Sequence, residues 1–187
     1  MDGITFITGN LNKANFLAEH LGISLKHQKL DLDEIQSLDP HTVVEHKVRQ
    51  AYSILQKPVL VEDAGLVFTA MGKLPGTFVK WFLEEIGCDG LVRLADSLSE
   101  RTAVGRVCYG LYDGSTLHFF EGEMHGRIAE KVGHGEQGFG FDSIFMNDGF
   151  DTTRSQMTVE EYVRTSYRTP AIKKLRSFLE QLEAHKS

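Results

Sequence analysis

The chain has 187 residues and a formal net charge of −6 at pH 7, with 41% hydrophobic and 25% charged residues. These values are typical of a globular protein with a sizeable core, and we expect a single domain over residues 1–187. The negative charge argues against a nucleic-acid partner, because binding a phosphate backbone needs a basic surface. Since no apolar run approaches the roughly 18 residues of a membrane span, we expect no membrane association and a cytoplasmic location.

The first predicted element is a short apolar strand, Ile4–Ile7, that leads directly into the turn Thr8–Lys13. A helical pattern follows and is expected to end at Gly22. A strand, a glycine-containing turn and a helix start form a potential anion site, because free N–H groups and the positive end of the helix dipole face one point. An ordinary capped turn explains the same residues, so the motif alone leaves both interpretations open.

The next helix is predicted to begin at Asp39 and Pro40, which suit the N-cap and the first helical position. It follows a second acidic segment, Asp31–Ile35, that comes after a loosely alternating strand. Lys47 falls within the apolar stripe of this helix, and a lysine on an inward-facing stripe needs a partner. Its amino group reaches either the rim of the core or a ligand phosphate, and the spacing does not separate these alternatives.

The most informative stretch is Pro58–Leu66, in which a run of apolar, mostly β-branched residues leads into Glu62 and Asp63. This pattern predicts a buried strand with two acids at its carboxyl end. Ligands of open α/β sheets bind outside the carboxyl ends of the strands, where these acids could hold a hard metal ion or an activated water. A surface turn with two solvated acids is the alternative interpretation.

The second half of the chain predicts a different kind of sheet. A helix is expected from about Phe78 to Ile86, closed by Gly87. Residues 101–112 and 117–122 flank an Asp-Gly pair at 113–114, which predicts an antiparallel hairpin. Because strands alternate with helices in the first half, we predict an α/β fold with a mixed sheet, two lobes and a cleft between them.

The loop Gly138–Asp142 alternates glycines with aromatic residues. Its glycines permit close approach of a ligand, and its aromatic rings offer stacking faces for a planar base. Asp142 could accept hydrogen bonds from ring N–H groups of that base. A β-bulge with core aromatic residues explains the loop equally well.

Four motifs together resemble the inosine triphosphate pyrophosphatase family, the Ham1-like non-canonical purine NTP pyrophosphatases. They occur in the family's order and spacing over nearly the whole chain: TGNLNK at Thr8–Lys13, VEDAGL at Val61–Leu66, LPGTFVKWF at Leu74–Phe82 and GFGFDSIF at Gly138–Phe145. The resemblance implies an elongated mixed β-sheet flanked by helices, with two lobes and a central cleft (ITPase/Maf-like), and a homodimer. It also implies Mg2+-dependent hydrolysis of ITP, dITP and XTP to the monophosphate and pyrophosphate, which cleans the nucleotide pool.

The same resemblance suggests roles for individual residues. Asp63 matches the family's catalytic acid, expected to bind Mg2+ and to help activate the attacking water. Glu62 and Glu34 would complete the metal environment, and which of the two binds the metal directly stays open. The substrate-binding residues implied are Thr8, Gly9, Asn10, Lys13, Lys47, Lys80, Phe139, Gly140, Phe141, Asp142 and Arg168.

One departure from the family concerns the nucleobase end of the site. Where the family has a lysine and a Ser-His-Arg triplet, this chain has Tyr162 and then Ser166, Tyr167 and Arg168. Loss of a polar donor can change discrimination strongly, so we expect hydrolysis to persist with altered or relaxed base choice. The alternatives are the same chemistry on a different modified nucleotide, or a nucleotide-binding regulatory protein without turnover. Arg164 is a further candidate for the missing charge.

Overall fold

The computed structural model describes residues 3–22 and 25–184, so the extreme ends of the predicted domain lie outside the described residues. The chain divides into two compact units. Unit 1 comprises Met1–Asp63, Val107–Gly122 and Arg168–Ser187, and unit 2 comprises Ala64–Arg106 and Glu123–Tyr167. The single domain and the cleft stay predictions.

Seven strands of the described residues form one sheet: β1 (Thr5–Ile7), β2 (Lys26–Gln28), β3 (Val59–Phe68), β4 (Pro75–Gly76), β5 (Thr102–Tyr112), β6 (Leu117–Ile128) and β7 (Phe145–Asn147). Their order is β2-β1-β3-β5-β6-β7, with β4 paired to β3. β1 is parallel to both β2 and β3, whereas β4 is antiparallel to β3 and β7 is antiparallel to β6. The predicted mixed sheet is therefore confirmed.

Within residues 3–22 and 25–184, five α-helices accompany the sheet: α1 (Leu11–Leu21), α2 (Pro40–Leu55), α3 (Val79–Asp96), α4 (Val159–Arg164) and α5 (Arg168–Ala184). Short 3-10 helices cover Thr69–Met71 and Arg154–Gln156. The predicted break at Gly87 is confirmed, since this residue interrupts α3 with φ 64° and ψ −174°. Within the described ranges, no helix has both the length and the apolar character of a membrane span.

The core of unit 1 holds α2 against the parallel strands. Val44 and Val48 of α2 cluster with Ile7 of β1 and Val61 of β3. Ile7 lies opposite Val61 in the sheet register. Because the strands are parallel, the turn that begins at Thr8 comes alongside the residues that follow Val61.

The structure corrects the predicted end of the central strand. β3 continues to Phe68, so Glu62 and Asp63 lie inside the strand and not at its carboxyl end. Its parallel partner β1 ends at Ile7, and beyond that point β3 pairs with β4. Gly65 makes this possible, because a side chain there would meet the Gly76 carbonyl at 2.9 Å. Glu62 and Asp63 therefore come directly after the point in the sheet at which the neighbouring strand β1 ends.

The predicted hairpin joins β5 and β6, which are neighbours in the sheet. The four-residue connection is too short for a parallel crossover, so the two strands are antiparallel. Asp113 organises the turn, since its Oδ1 accepts hydrogen bonds from the N–H groups of Ser115 and Thr116, both at 2.8 Å.

Candidate functional site

The turn Thr8–Lys13 is capped by Asn10. Its Oδ1 accepts hydrogen bonds from the N–H groups of Asn12 at 2.9 Å and Lys13 at 3.3 Å, and the Asn10 N–H donates to Thr8 Oγ1 at 3.0 Å. The capped turn is therefore present as predicted. Gly9 and Asn10 remain exposed, so the turn can still meet a ligand.

Glu62 is a buried carboxylate held by two cations. Arg168 donates from Nη2 to Oε1 at 2.9 Å and from Nε to Oε2 at 3.2 Å, and Lys13 Nζ lies 3.0 Å from Oε1. Burial alone would raise the pKa of Glu62, but attraction to Arg168 and Lys13, with hydrogen bonds from Arg168, holds that pKa well below its ordinary value. Glu62 is 6% exposed, which excludes the solvated-turn interpretation.

Asp63 is the second buried acid, at 9% exposure. Its Oδ1 lies 2.8 Å from Lys47 Nζ, whereas its buried Oδ2 has no hydrogen-bond partner among the described residues. The partner of Lys47 is thus an acid, which neither interpretation of its stripe position anticipated. A buried carboxylate oxygen without a partner is unusual and suits a water molecule or a cation.

The donor set fits a hard cation in its chemistry. Carboxylate oxygens are the ligands that Mg2+ prefers, and the open Oδ2 of Asp63 supplies one. Glu34 is exposed, and Glu62 is occupied by Lys13 and Arg168. These three acids do not form a group with ligand atoms within 4.8 Å of one another among the described residues; His41, Cys108 and Glu121 do. The predicted metal ligands therefore stay a prediction.

Lys29 is a cation that sequence reasoning missed. It follows Gln28, which lies opposite Ile7 in the register of β2 and β1. Its stem runs along the exposed turn, because a Cβ placed on Gly9 would lie 3.3 Å from its Cγ and Cδ. Its amino group has no ion pair with the acids of the described ranges, unlike Lys13 and Lys47. The feature that could have identified Lys29 is its position directly after a strand that pairs in parallel with β1.

The predicted base loop belongs to unit 2, and its aromatic residues differ in burial. Phe141 is buried and packs on Tyr167, with ring centres 6.0 Å apart, whereas Phe139 is half-buried. Asp142 is 2% exposed. Its oxygens accept hydrogen bonds from Arg154, Tyr162 and the Phe139 N–H. Phe139 is therefore the more exposed of the two aromatic residues of this loop.

A pocket of about 380 Å³ lies beside this loop, within unit 2. Phe139 and Gly140 belong to its lining, together with glycines and polar side chains of the preceding segment. The complete lining is residues 132–135 and 137–140, Ser143 and Ser155. A concave site of this size is suited to a small planar ligand.

The remaining predicted contact residues occupy separate settings. Lys80 is on α3 in unit 2, and its Nζ lies 4.9 Å from the centre of the Trp81 ring. Arg168 begins α5 in unit 1 and is engaged by Glu62. Arg164 is the exposed last residue of α4. The roles assigned to these three residues stay predictions.

The fold is similar to solved structures named as Ham1 proteins. The Ham1 protein of Staphylococcus aureus matches with a TM-score of 0.81 and 24% identity, over 95% of this chain and 98% of that chain. A HAM1 protein from Coxiella burnetii matches with a TM-score of 0.82 and 22% identity over the same shares. These likenesses establish the fold.

Sequence relatives give the family. A protein of Schizosaccharomyces pombe named inosine triphosphate pyrophosphatase is 39% identical, over 96% of this chain and 96% of the relative. A Trypanosoma cruzi protein named inosine triphosphate pyrophosphatase 2 is 41% identical, over 93% of this chain and 90% of the relative. The family model described as Ham1 family matches residues 4–178. This chain belongs to the Ham1 family.

Proposed function

We propose that this protein hydrolyses the non-canonical purine nucleoside triphosphates ITP, dITP and XTP to the monophosphate and pyrophosphate. The observation that carries the proposal is the buried Asp63 carboxylate, with one oxygen on Lys47 and the other without a partner among the described residues. The relatives named inosine triphosphate pyrophosphatase support the choice of substrate.

Unit 1 carries the groups proposed for the triphosphate. Lys13 and Lys47 are paired with Glu62 and Asp63 in the structure, and both amino groups are partly exposed. Each ammonium has three donors, so both lysines can contact a triphosphate while they stay paired with their acids. Lys29 adds a charge that no described acid neutralises. Such a site accelerates hydrolysis by positioning the phosphates and by neutralising the charge that develops on the leaving pyrophosphate.

Asp63 is proposed as the group that activates water. Its open Oδ2 can accept a proton from a water molecule, and Lys47 fixes the carboxylate through Oδ1. Water is thereby oriented by a group that is itself held in place. Glu62 cannot play this role in the same way, because Arg168 and Lys13 engage it on both oxygens.

Mg2+ is the cation that we propose for the reaction. The residues that would hold it are the carboxylates of Asp63, Glu34 and Glu62. Mg2+ keeps several of its own waters, so a few carboxylates suffice. When bound, it supplies charge neutralisation and a polarised phosphoryl oxygen.

Unit 2 carries the groups proposed for the base. The pocket of about 380 Å³ is lined by Phe139, whose ring can stack on a purine. The same wall contains Gln137 and Ser155, which can donate and accept hydrogen bonds. A concave site that combines one aromatic ring with several polar groups can hold a nucleobase by stacking and by hydrogen bonds.

We further propose that the protein acts in the cytoplasm, as a homodimer, in cleaning the nucleotide pool. The free thiols of Cys88 and Cys108 support a reducing compartment. The dimer rests on the resemblance to the family, and sedimentation of the purified protein tests it.

The test of the activity is pyrophosphate release across ITP, XTP, dITP and the four standard NTPs, with Mg2+ and with chelator. We expect release from ITP and XTP that is much faster than from ATP or GTP and that chelation abolishes. A folded protein that binds ITP but releases no pyrophosphate would contradict the proposal and favour a regulatory binder. Activity confined to a standard NTP would contradict the proposed substrate class.

A further inference from the structure

We infer that Arg154 and Tyr162 hold the Asp142 carboxylate behind the wall of the pocket, so that Asp142 positions Phe139 and does not contact the base. The inference rests on the proposed function for its substrate. It gives Arg154 and Tyr162 the role of positioning residues.

Arg154 is completely buried, and its guanidinium is surrounded by acceptors. Nε donates to Asp142 Oδ1 at 2.8 Å, and Nη1 donates to Asn147 Oδ1 and Thr165 Oγ1, both at 3.0 Å. Nη2 donates to the Tyr162 carbonyl at 3.2 Å. The guanidinium carbon also lies 4.3 Å from the centre of the Tyr162 ring. Because the guanidinium is planar and rigid, it holds the Asp142 carboxylate and the Tyr162 carbonyl in one fixed geometry.

The second oxygen of Asp142 is shared by two donors. Tyr162 Oη donates to Oδ2 at 2.9 Å, and the Phe139 N–H donates to the same oxygen at 2.9 Å. With Arg154 on Oδ1, both carboxylate oxygens are occupied. The carboxylate is also 2% exposed, so a base could donate a hydrogen bond to it only by entering this buried, charge-assisted network, which is unfavourable.

The network ends on the wall of the pocket. Phe139, fixed through its N–H, lines the pocket, as do Gly138 and Gly140 on either side. Ser155 lines it too, and its N–H donates to the Asp142 carbonyl at 3.1 Å. Gly138 has φ 79°, and a side chain there would collide with the Asp142 carboxylate. Asp142 therefore fixes the backbone from which the Phe139 side chain projects.

A buried ion pair can serve stability alone, and the experiment must separate that role from positioning. Tyr162→Phe removes only the hydroxyl and keeps the ring under Arg154. We expect KM for ITP and for XTP to rise by about tenfold each, since a hydrogen bond to a charged group is lost. We expect kcat to stay within about twofold, because the groups proposed for chemistry are unchanged.

Two controls accompany this variant. Inorganic tripolyphosphate has no base, so its inhibition constant is expected to be the same in Tyr162→Phe and wild type. Tyr112→Phe removes a hydroxyl that donates to the Gly114 carbonyl in the hairpin turn, and its KM is expected to be unchanged. Arg154→Lys is a second variant, which keeps the positive charge and loses the planar set of guanidinium donors. We expect it to raise KM for ITP and XTP by the same factor.

Amide hydrogen exchange gives a readout that does not require activity. The Phe139 amide is expected to exchange faster in Tyr162→Phe than in wild type, while the Ser115 amide in the hairpin turn is unchanged. A lower melting temperature with unchanged KM and unchanged Phe139 exchange would overturn the inference and leave a structural role. A rise in KM for ITP alone would also overturn it, because Asp142 would then be reading the base. Faster Phe139 exchange in a protein inactive on ITP would support positioning while the proposed function fails.

Discussion

The amino group of Lys47 lies 2.8 Å from one oxygen of Asp63, while the other oxygen of that buried carboxylate has no hydrogen-bond partner among the described residues. Leaving a buried acceptor unpaired costs about 1–3 kcal/mol, so such groups are uncommon without a functional reason. The ion pair with Lys47 thus holds Oδ1 of Asp63 and leaves Oδ2 open to a water molecule or a cation. It is the feature that most directly links this fold to hydrolysis.

Asp63→Asn is expected to lower kcat by about 10²-fold or more, because the amide cannot take a proton from water. Nucleotide affinity, measured by calorimetry, is expected to change little. The matched control is Asp89→Asn, on the exposed side of α3, which should keep wild-type kcat. Wild-type turnover by Asp63→Asn would contradict the role given to this acid.

Glu62→Gln is expected to lower the free energy of unfolding by about 3–5 kcal/mol, because it leaves Arg168 and Lys13 buried or half-buried without their counter-charge. Urea unfolding of the wild type and the variant measures the difference. Glu45→Gln breaks an exposed pair with Arg49 on α2 and should change stability little. If both variants lost the same free energy of unfolding, burial of an ion pair would not determine how much that pair stabilises the fold.

The lowered pKa of Glu62 predicts how this stabilisation depends on pH. The folded pKa is below the ordinary value of 4.5, so the contribution is complete above pH 4.5 and is lost as pH falls through the folded pKa. The difference in melting temperature between wild type and Glu62→Gln should therefore be constant near neutral pH and shrink in acid. A difference that grew below pH 4.5 would mean that the sign of the pKa shift is wrong.

Lys29→Gln is expected to raise KM for ITP by about tenfold, since a charged contact to the triphosphate is lost. The effect should weaken at high salt, because an exposed cation is screened. Lys26→Gln, on the strand that precedes Lys29, removes an exposed charge and should leave KM unchanged. If both variants raise KM equally, general electrostatic attraction is the cause and Lys29 has no specific contact.

Local features of the fold were predictable because the groups that create them are close in the chain. Asn10 caps α1 by bonding residues two and three positions away, and Asp113 organises the hairpin turn in the same manner. Gly87 breaks α3 by its own backbone angle. Each depends on a few neighbouring residues, so its signal survives in the sequence.

The predictions that needed correction concern longer-range contacts. β3 continues past Glu62 and Asp63 because Gly65 lets the backbone of Gly76 approach, which no pattern within the strand indicates. The carboxylate of Asp142, which was predicted to accept hydrogen bonds from a base, accepts them in the structure from Arg154 and Tyr162. Whether a polar side chain faces a ligand or a buried partner depends on residues that are distant in sequence.

The sequence by itself determined the alternation of strands and helices in the first half, the later hairpin, the mixed character of the sheet, the family motifs and the acids and lysines available for chemistry. Only the tertiary structure decided their pairing: Lys47 with Asp63, and Arg168 with Glu62 across 106 positions of the chain. It also revealed Lys29 beside Gly9. The physical reason is that backbone preferences and caps act between neighbours, whereas the partner of a buried charge is set by which strands and helices pack together.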